Sequence, residues 1–526
     1  MPQQKSNAHR AILSIIAIAL LIMGIVLFIV PPALNTDPSQ GFQVLQSLKL
    51  GHGFNNLFSP DQGDISQNYT QFLTWWSPGQ YLVPCFFKLI TGVNMGQGIA
   101  ITVVIAQFCG LAGFYFFFKK IGFTPIIATV SLVFIICQEA FMIPDVYYNG
   151  GEILLFAFEG WFLYGCTSLK KTGLPLILFV FFSALLGFFL KSSFLWMYGA
   201  GLCCVWVGLA ANKQGITTWI KNALWIGIPA IIAFAIIYIG YISRGESPIF
   251  TSASIKLTAN AFSFPLASPV LSGFSVDDLF NGLIDHIGKP LFSANWAAII
   301  LLLVAILSVI LIFAIIRYVP NNDYKLFIIV FYVAAILFFG FTYLDQLNVS
   351  MESRHFRIIG LLITPGIIYL AARLKPGYKF LFALIFAGLA FNCLQYLVRG
   401  FKANNLAAKG TTGIAQPKID QASLNQVLKL DKENRNATFV FIGDDLGLEL
   451  RHNRFITLPP IDDNLKINTD DYTYLGFAGP LYIILPESYN GPKEKMVMKS
   501  FPGYTGWSLS MLSNDYVLYT AKLKRR

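Results

Sequence analysis

Long apolar runs, separated by short charged or turn-forming segments, fill the first three quarters of the chain. They lie near residues 11–30, 98–118, 124–143, 151–168, 174–190, 194–210, 219–242, 294–316, 325–344, 357–372 and 378–398. Because a helix needs about 20 apolar residues to cross a bilayer, these runs predict membrane spans. A further run, 79–92, falls below the roughly 17 residues that a crossing needs at minimum.

The basic residues indicate how the short run should be interpreted. If 79–92 crossed the membrane, Lys119, Lys170, Arg317 and Arg373 would all lie outside, against the preference of Lys and Arg for cytoplasmic loops. We therefore interpret 79–92 as an interfacial or re-entrant helix. This gives eleven spans with the N-terminus inside and the C-terminus outside; a crossing at 79–92 would give twelve. The first run has no small-residue cleavage site, so we expect a retained span.

Composition divides the chain into two regions. Hydrophobic residues make up 55% of the 526 residues and charged residues 12%, against about 25% charged in soluble domains. Of the charged residues, 29 lie among the last 127 and 36 among the first 399. We predict a polytopic α-helical membrane domain over 1–399, with a long first outer loop that carries interfacial helices. A small extracytoplasmic α/β domain is predicted over 400–526, with a helix at 421–432 and strands at 437–443, 454–458, 481–485 and 516–522.

The net charge and the positions of the cysteines bear on nucleic-acid binding, disulfide bonds and metal binding. The net charge of +11 needs no nucleic-acid partner, because the basic residues serve the cytoplasmic loops. The seven cysteines lie in apolar runs without CxxC spacing, which predicts neither a disulfide framework nor a cysteine metal site.

Acidic residues concentrate on the predicted outer face, which makes them candidates for chemistry. Asp37 follows the first span and precedes Pro38-Ser39, a sequence that also favours an N-cap role. Asp145 and Glu152 flank the second outer loop. Glu152 shares a helical stripe with Glu159, and a charged residue within a span indicates function unless a cation such as Lys191 pairs with it.

The last outer loop of the membrane domain carries two arginines where the positive-inside rule disfavours them. It reads Glu352-Ser353-Arg354-His355-Phe356-Arg357. A guanidinium matches phosphate oxygens bidentately, so Arg354 is a candidate anion ligand. The alternative is a salt bridge from Arg354 to Glu352 or Asp345.

These motifs together resemble the GT-C superfamily of membrane glycosyltransferases, which includes bacterial protein mannosyltransferase-like and aminoarabinose transferase-like enzymes. The resemblance rests on Asn35-Thr36-Asp37 with the following helix 41–51, on the segment 75–81 (Trp-Trp-Ser-Pro-Gly-Gln-Tyr), and on the segment 352–356 before a late span. It covers nearly the whole chain. The chain departs from the family pattern at Gly79, in place of a second proline, at Ser77, in place of a charged residue or His, and at His355, in place of the usual Tyr.

The resemblance implies sugar transfer from a polyprenyl-phosphate donor at the outer face of the membrane. It implies Asp37 as the general base and Arg354, with His355 or Arg357, as ligands of the donor phosphate. Asp145 would be a second catalytic acid. Whether Asp37 and Asp145 bind a divalent metal stays open. Further candidates for the substrate cavity are Trp76, Tyr81, Glu152 and Glu352.

We therefore expect a bacterial inner-membrane glycosyltransferase, transferring a hexosyl or pentosyl group to a glycan, lipid or protein acceptor. Two other functions stay open at this point: a transporter or flippase of a lipid-linked intermediate, and a non-catalytic envelope assembly protein of the same fold. Two acidic residues within spans, Glu139 and Glu159, are the only features that favour transport, whereas the crowding of acids on one face favours outer-face chemistry.

Overall fold

The structure is a computed structural model. It describes residues 7–34, 36–74, 76–210, 215–245, 255–256, 259–274, 276, 294–347, 349–443, 445–465 and 467–523. Residues up to 406 are mainly helical, and the remainder forms a mixed α/β unit.

Each of the eleven predicted runs is helical. The helices of this region are α1 (Ala8–Ile29), α2 (Thr36–Lys49), α3 (Gly79–Thr91), α4 (Met95–Lys120), α5 (Pro125–Ile136), α6 (Glu139–Val146), α7 (Gly151–Ser168), α8 (Leu174–Leu190), α9 (Phe194–Ala210), α10 (Ile216–Gly240), α11 (Ala259–Gly273), α12 (Ala294–Tyr318), α13 (Asn322–Leu344), α14 (Arg357–Ala371) and α15 (Pro376–Leu406).

Length and hydropathy make this a multi-pass membrane protein. Within the described residues, seven helices are long and apolar enough to span a bilayer: α1, α4, α10, α12, α13, α14 and α15. The pair α5 and α6, bent by 50°, makes an eighth candidate. Helices α8 and α9 are apolar but have 17 residues each, and α7 carries Glu152 and Glu159.

Helix α3 is short, as predicted for the run 79–92. Its 13 residues extend about 20 Å, less than the roughly 30 Å of a hydrocarbon core. The chain also returns close to the point where α1 ended: a Cβ on Gly96, at the start of α4, would lie 3.0 Å from Cβ of Pro31. Both observations agree with a helix that does not cross the membrane.

Two sets of loops gather at opposite ends of the helices. Short strands β1 (Ala33–Leu34), β4 (Tyr147–Tyr148), β5 (Ala408–Lys409) and β6 (Ala415–Gln416) form one sheet in the order β4-β1-β6-β5. This sheet joins the first outer loop, the second outer loop and the start of the tail. Elsewhere Lys170 Nζ lies 3.4 Å from Asp323 Oδ2, and Asn321 donates to the carbonyl of Ile121. The loops predicted to lie outside therefore gather at one end of the helices, and the loops predicted to be cytoplasmic gather at the other end.

The tail is the predicted α/β unit. It contains α16 (Gln421–Glu433), β7 (Thr438–Ile442), β8 (Arg454–Leu458), α17 (Thr469–Tyr472), β9 (Leu481–Pro486), α18 (Pro492–Lys499), β10 (Tyr504–Met511) and β11 (Tyr516–Leu523). The sheet order is β10-β11-β9-β7-β8, with β7 parallel to β8 and β9 and the β9–β11 and β10–β11 pairs antiparallel.

All four predicted strands of the tail are present, and β10 is an addition. Most of β10 is exposed, so its sequence lacks the apolar run that identified the others. The predicted boundary at 399 falls inside α15, which continues to Leu406. A hairpin of the first outer loop, β2 (Asn56–Pro60) and β3 (Asn68–Phe72), contacts the tail, where Arg454 donates to Asn68 Oδ1 at 2.9 Å.

Helices α4 and α7 pack closely through glycines. A Cβ on Gly160 would lie 2.4 Å from the backbone nitrogen of Phe114, and one on Gly110 would lie 2.3 Å from the ring of Phe156. Small residues let membrane helices approach until their backbones touch. This contact fixes α7, whose first turn carries Glu152.

We expect Gly160→Val to lower the free energy of unfolding by about 1–3 kcal/mol, because the added methyl groups must separate α4 from α7. The measurement is the thermal unfolding midpoint of the purified protein in detergent. Gly199→Val is the matched control, since a Cβ on this exposed helical glycine meets nothing within 4 Å. Equal midpoints for the two variants would contradict the packing argument.

Candidate functional site

Arg354 is the centre of a charged cluster. It lies in a 3-10 helix, Ser353–Phe356, that leads into α14. Its Nη1 is 2.7 Å from Asp37 Oδ2 and 3.4 Å from Glu152 Oε1, and its Nε is 2.5 Å from Glu352 Oε2. The three carboxylates come from three different outer loops, so one guanidinium joins all of them.

Each carboxylate lies at the N-terminal end of a helix. Asp37 is in the first turn of α2, Glu152 is in the first turn of α7, and Glu352 precedes the 3-10 helix. The positive end of a helix dipole stabilises a carboxylate at such a position. The predicted N-cap role of Asp37 is wrong in detail, because α2 already begins at Thr36 and the carboxylate pairs with Arg354.

Lys191 adds a second cation to the cluster; the sequence predicted it only as a pairing partner of Glu152 or Glu159. It follows the last residue of α8, and its Nζ forms an ion pair with Glu152 Oε1. The pairing alternative considered for Glu152 is therefore present, as is the one between Arg354 and Glu352. The signal in the sequence is a lysine at the outer end of an apolar run, followed by Ser192-Ser193.

The cluster and one wall of aromatic and aliphatic side chains enclose a cavity of about 740 Å³. Its polar end includes Asp37, Ser77, Gln80, Glu152, Lys191, Arg354 and His355, and its apolar wall includes Phe188, Leu195, Trp196, Phe234, Phe338, Phe339 and Phe341. The cavity is thus amphipathic, with its charges confined to one end.

The apolar wall reaches the outer surface of the helical bundle. Phe234 of α10 is 49% exposed, and Phe338 and Phe341 of α13 are 50% and 64% exposed. Both helices are long and apolar enough to span a bilayer. Surface aromatic residues at this position face lipid, so the cavity extends to the lipid-facing side of the protein.

Two further predicted residues line the cavity. The indole of Trp76 donates to Gln40 Oε1 at 3.0 Å, which orients the ring. His355 lies near Arg354, with its Nε2 3.3 Å from Ser350 Oγ and its ring 5.8 Å from that of Phe339. Glu352 is not among the residues that line the cavity, and it contributes through its ion pair with Arg354.

The structure places Tyr81 outside the cavity wall, which corrects its prediction as a cavity residue. Its hydroxyl is buried and donates to Asn55 Oδ1 at 2.7 Å. Asn55 adopts a φ of 60°, a left-handed conformation that asparagine tolerates better than most residues. Its amide nitrogen lies 2.9 Å from Tyr241 Oη, and the Tyr241 hydroxyl donates to the carbonyl of Trp76. Tyr81 therefore does not line the cavity, but its hydrogen bonds through Asn55 and Tyr241 stabilise the backbone at Trp76, which does.

Asp145 also lies outside the residues that line the cavity. It is buried at the end of α6, where both its carboxylate oxygens accept hydrogen bonds from Gln107 Nε2, at 2.9 Å and 3.1 Å. This contact links α6 to α4 and corrects the expectation of a second acid beside Asp37. Over the described part of the chain, no group of three or more His, Cys, Asp or Glu side chains is arranged to hold a metal ion.

Arg357 is likewise not part of the cavity wall. Its guanidinium lies over the ring of Phe156, 5.6 Å from the centroid, and its charge interacts with the buried Glu159. Both residues lie within the helix packing of α14 and α7. Of the two residues predicted to bind the donor phosphate together with Arg354, His355 lines the cavity and Arg357 does not.

Comparison with known proteins identifies solved structures of similar architecture. No protein-family model and no curated protein sequence matches the chain. ArnT from Cupriavidus metallidurans bound to undecaprenyl phosphate is 9% identical, with 98% of each chain covered and a TM-score of 0.49. The mycobacterial arabinofuranosyltransferase AftD is 12% identical, with a TM-score of 0.47, and the match covers 97% of this chain and 40% of AftD.

The departure at Gly79 has a physical cause. A Cβ at this position would lie 2.5 Å from the carbonyl oxygen of Phe189 and 3.2 Å from Cα of Leu190. The C-terminal end of α8 therefore passes directly against the start of α3, leaving no room for a proline ring. The same approach places Lys191 beside α3.

We expect Arg354→Gln to destabilise the protein by about 2 kcal/mol, because three carboxylates then face one another with Lys191 as the remaining cation of the cluster. The side chain is 30% exposed, which reduces the penalty below that of a fully buried pair. Thermal unfolding in detergent measures the effect. Arg399→Gln, which removes an exposed guanidinium near Gln395, is the control and should change the midpoint little. A midpoint for Arg354→Gln equal to the control would contradict the assigned role.

Proposed function

We propose that this protein is a membrane glycosyltransferase that moves a sugar from a polyprenyl-phosphate donor to an acceptor hydroxyl at the outer face of the membrane. One observation carries the proposal. Arg354, Lys191 and the Asp37 carboxylate meet at the polar end of an otherwise apolar cavity that reaches the lipid-facing surface.

The cavity matches the two chemical parts of such a donor. An isoprenoid chain is apolar and can lie along the wall formed by Phe234, Phe338 and Phe341. Its phosphate would then reach Lys191 and Arg354, which supply a mobile ammonium and a bidentate guanidinium. Undecaprenyl phosphate, the lipid in the ArnT structure, belongs to this class.

The donor phosphate must compete with carboxylates for these cations. The cluster contains three carboxylates (Asp37, Glu152 and Glu352) and two cations, an excess of one negative charge. When the phosphate binds Arg354, it takes the place of Asp37 on the guanidinium. This exchange frees Asp37 Oδ2 to accept a proton, so donor binding prepares the base.

The reaction then follows from the positions of these groups. The acceptor hydroxyl oxygen attacks the anomeric carbon of the sugar, and its proton passes to Asp37. The bond between that carbon and the phosphate oxygen breaks, and the electron pair leaves with the lipid phosphate. Lys191 and Arg354 stabilise the negative charge that develops on the phosphate, so no strong acid is needed.

The transferred sugar is a hexose or a pentose in this proposal, and the acceptor is a glycan, a lipid or a protein. It places the reaction outside, with the N-terminus in the cytoplasm and the tail domain outside, in agreement with the distribution of cations. Transport is less well supported. The buried Glu159, which favoured it, interacts with Arg357 in the helix packing and does not line the cavity.

The test uses proteoliposomes that contain the full chain, a panel of undecaprenyl phosphates carrying glucose, mannose, arabinose or aminoarabinose, and an extract of native membranes as the acceptor source. We expect transfer that falls at least 100-fold in Asp37→Asn, because a general base contributes about 10²–10⁴-fold. Asp37→Asn should retain donor binding, whereas Lys191→Met should weaken it.

Asp323→Asn is the control, since this exposed aspartate pairs with Lys170 on the opposite side of the helices. An unchanged rate in Asp37→Asn would remove this residue from the mechanism. Wild-type protein that binds a donor and moves it across the bilayer without sugar transfer would instead establish the flippase function. Donor binding with neither transfer nor translocation would indicate an assembly protein.

A further inference from the structure

Three neutral buried polar groups on residues of the cavity wall have no hydrogen-bond partner among the described residues: Nε2 of Gln80, Oγ of Ser77 and the indole Nε1 of Trp196. Gln80 is 4% exposed and Ser77 is 5% exposed, and both line the polar end of the cavity and flank the start of α3, whereas Trp196 belongs to the apolar wall. Buried polar groups are nearly always paired, so unpartnered groups on two neighbouring residues at the polar end indicate a ligand that completes them.

The Gln80 amide is held firmly in this position. The backbone carbonyl of Gln80 accepts a hydrogen bond from the Tyr148 hydroxyl at 2.7 Å. A Cβ on Gly41 would lie 3.0 Å from Gln80 Nε2, and a Cβ on Gly150 would lie 2.7 Å from Gln80 Oε1. Two glycines thus make the space that this amide occupies, and any larger residue there would displace it.

The segment 77–80 also lies next to the proposed phosphate site. Gly79 is packed against the backbone of Phe189 and Leu190, immediately before Lys191. A Cβ on Gly150, which faces the Gln80 amide, would lie 3.2 Å from Cβ of Pro38, the residue after Asp37. Gln80 and Ser77 therefore lie near both the cation that would hold the phosphate and the carboxylate that would act as base.

The chemistry of these groups fits a sugar better than a phosphate. Lys191 and Arg354 already supply positive charge for the phosphate, whereas an amide and a hydroxyl are neutral. Sugar hydroxyls donate and accept hydrogen bonds, and so match a serine hydroxyl and a glutamine amide. In the proposed reaction the sugar must lie between the phosphate and Asp37.

We infer that Ser77 and Gln80 form the subsite that binds the sugar of the donor, with Ser77 Oγ and Gln80 Nε2 donating hydrogen bonds to its hydroxyl groups. This inference rests on the proposed function and adds residues that select the sugar. The neutral Ser77 hydroxyl can both donate to and accept from a hydroxyl ligand.

The experiment compares binding of bare undecaprenyl phosphate with binding of the same lipid carrying glucose, mannose, arabinose or aminoarabinose, using the full chain in nanodiscs. We expect wild-type protein to bind at least one of the sugar-bearing lipids more tightly than the bare lipid. Gln80→Ala should weaken binding of that lipid about tenfold and leave the affinity for bare undecaprenyl phosphate within about twofold. Ser77→Ala removes a single oxygen and should act in the same direction with little effect on folding.

Gln395→Ala, at a half-buried glutamine of α15 near Arg399, is the matched control and should change neither affinity. Lys191→Met should weaken both lipids together. Equal weakening of bare and sugar-bearing lipid by Gln80→Ala or Ser77→Ala would overturn the sugar subsite and assign these residues to the phosphate. Wild-type protein with no preference for any sugar would also overturn it, while leaving the proposed phosphate site intact. Failure to bind either lipid would overturn the proposed function itself.

Discussion

The ion pairs of Arg354 are the interaction on which the cavity end of the helices depends. One guanidinium holds carboxylates from loops that are far apart in sequence, at Asp37, Glu152 and Glu352. Each carboxylate is at a helix N-terminus, where the backbone favours negative charge. The positions of α2, α7 and the start of α14 are therefore coupled through one side chain, which also lines the cavity.

This coupling has a chemical consequence, because the carboxylates that neutralise Lys191 and Arg354 are the groups that an anionic ligand would displace. Buried charges are costly to leave unpaired, so an anion that replaces one carboxylate must itself pair with the cation that it takes over. The glycines at 41, 79 and 150 have a complementary function. They bring α3, α7 and the end of α8 close enough for Lys191 and Gln80 to share one cavity with Asp37.

The sequence was sufficient to predict the membrane class, the helical runs, the shortness of the helix at 79–92, four strands of the tail and the location of Asp37, Glu152 and Arg354 at the same end of the helices. Those features follow from periodicity, length and charge, which are local. The positions of Tyr81, Asp145 and Arg357, which do not line the cavity, could not be predicted in this way. Whether such a side chain faces a cavity or a packed neighbour depends on tertiary contacts such as Gln107 with Asp145 or Asn55 with Tyr81. Lys191 was undervalued for the same reason, since its importance comes from a contact with another helix.

The small sheet in the order β4-β1-β6-β5 has a consequence for how the protein is made. Ala33 of the first outer loop pairs with Tyr147 and also with Ala415, which follows the last membrane helix. A ribosome delivers these segments in sequence, so β1 acquires its second neighbour only after the whole membrane domain has been synthesised. Completion of this sheet is therefore a late event in biogenesis, and a chain truncated before β6 would insert its helices without forming the sheet that ties the first loop to the tail.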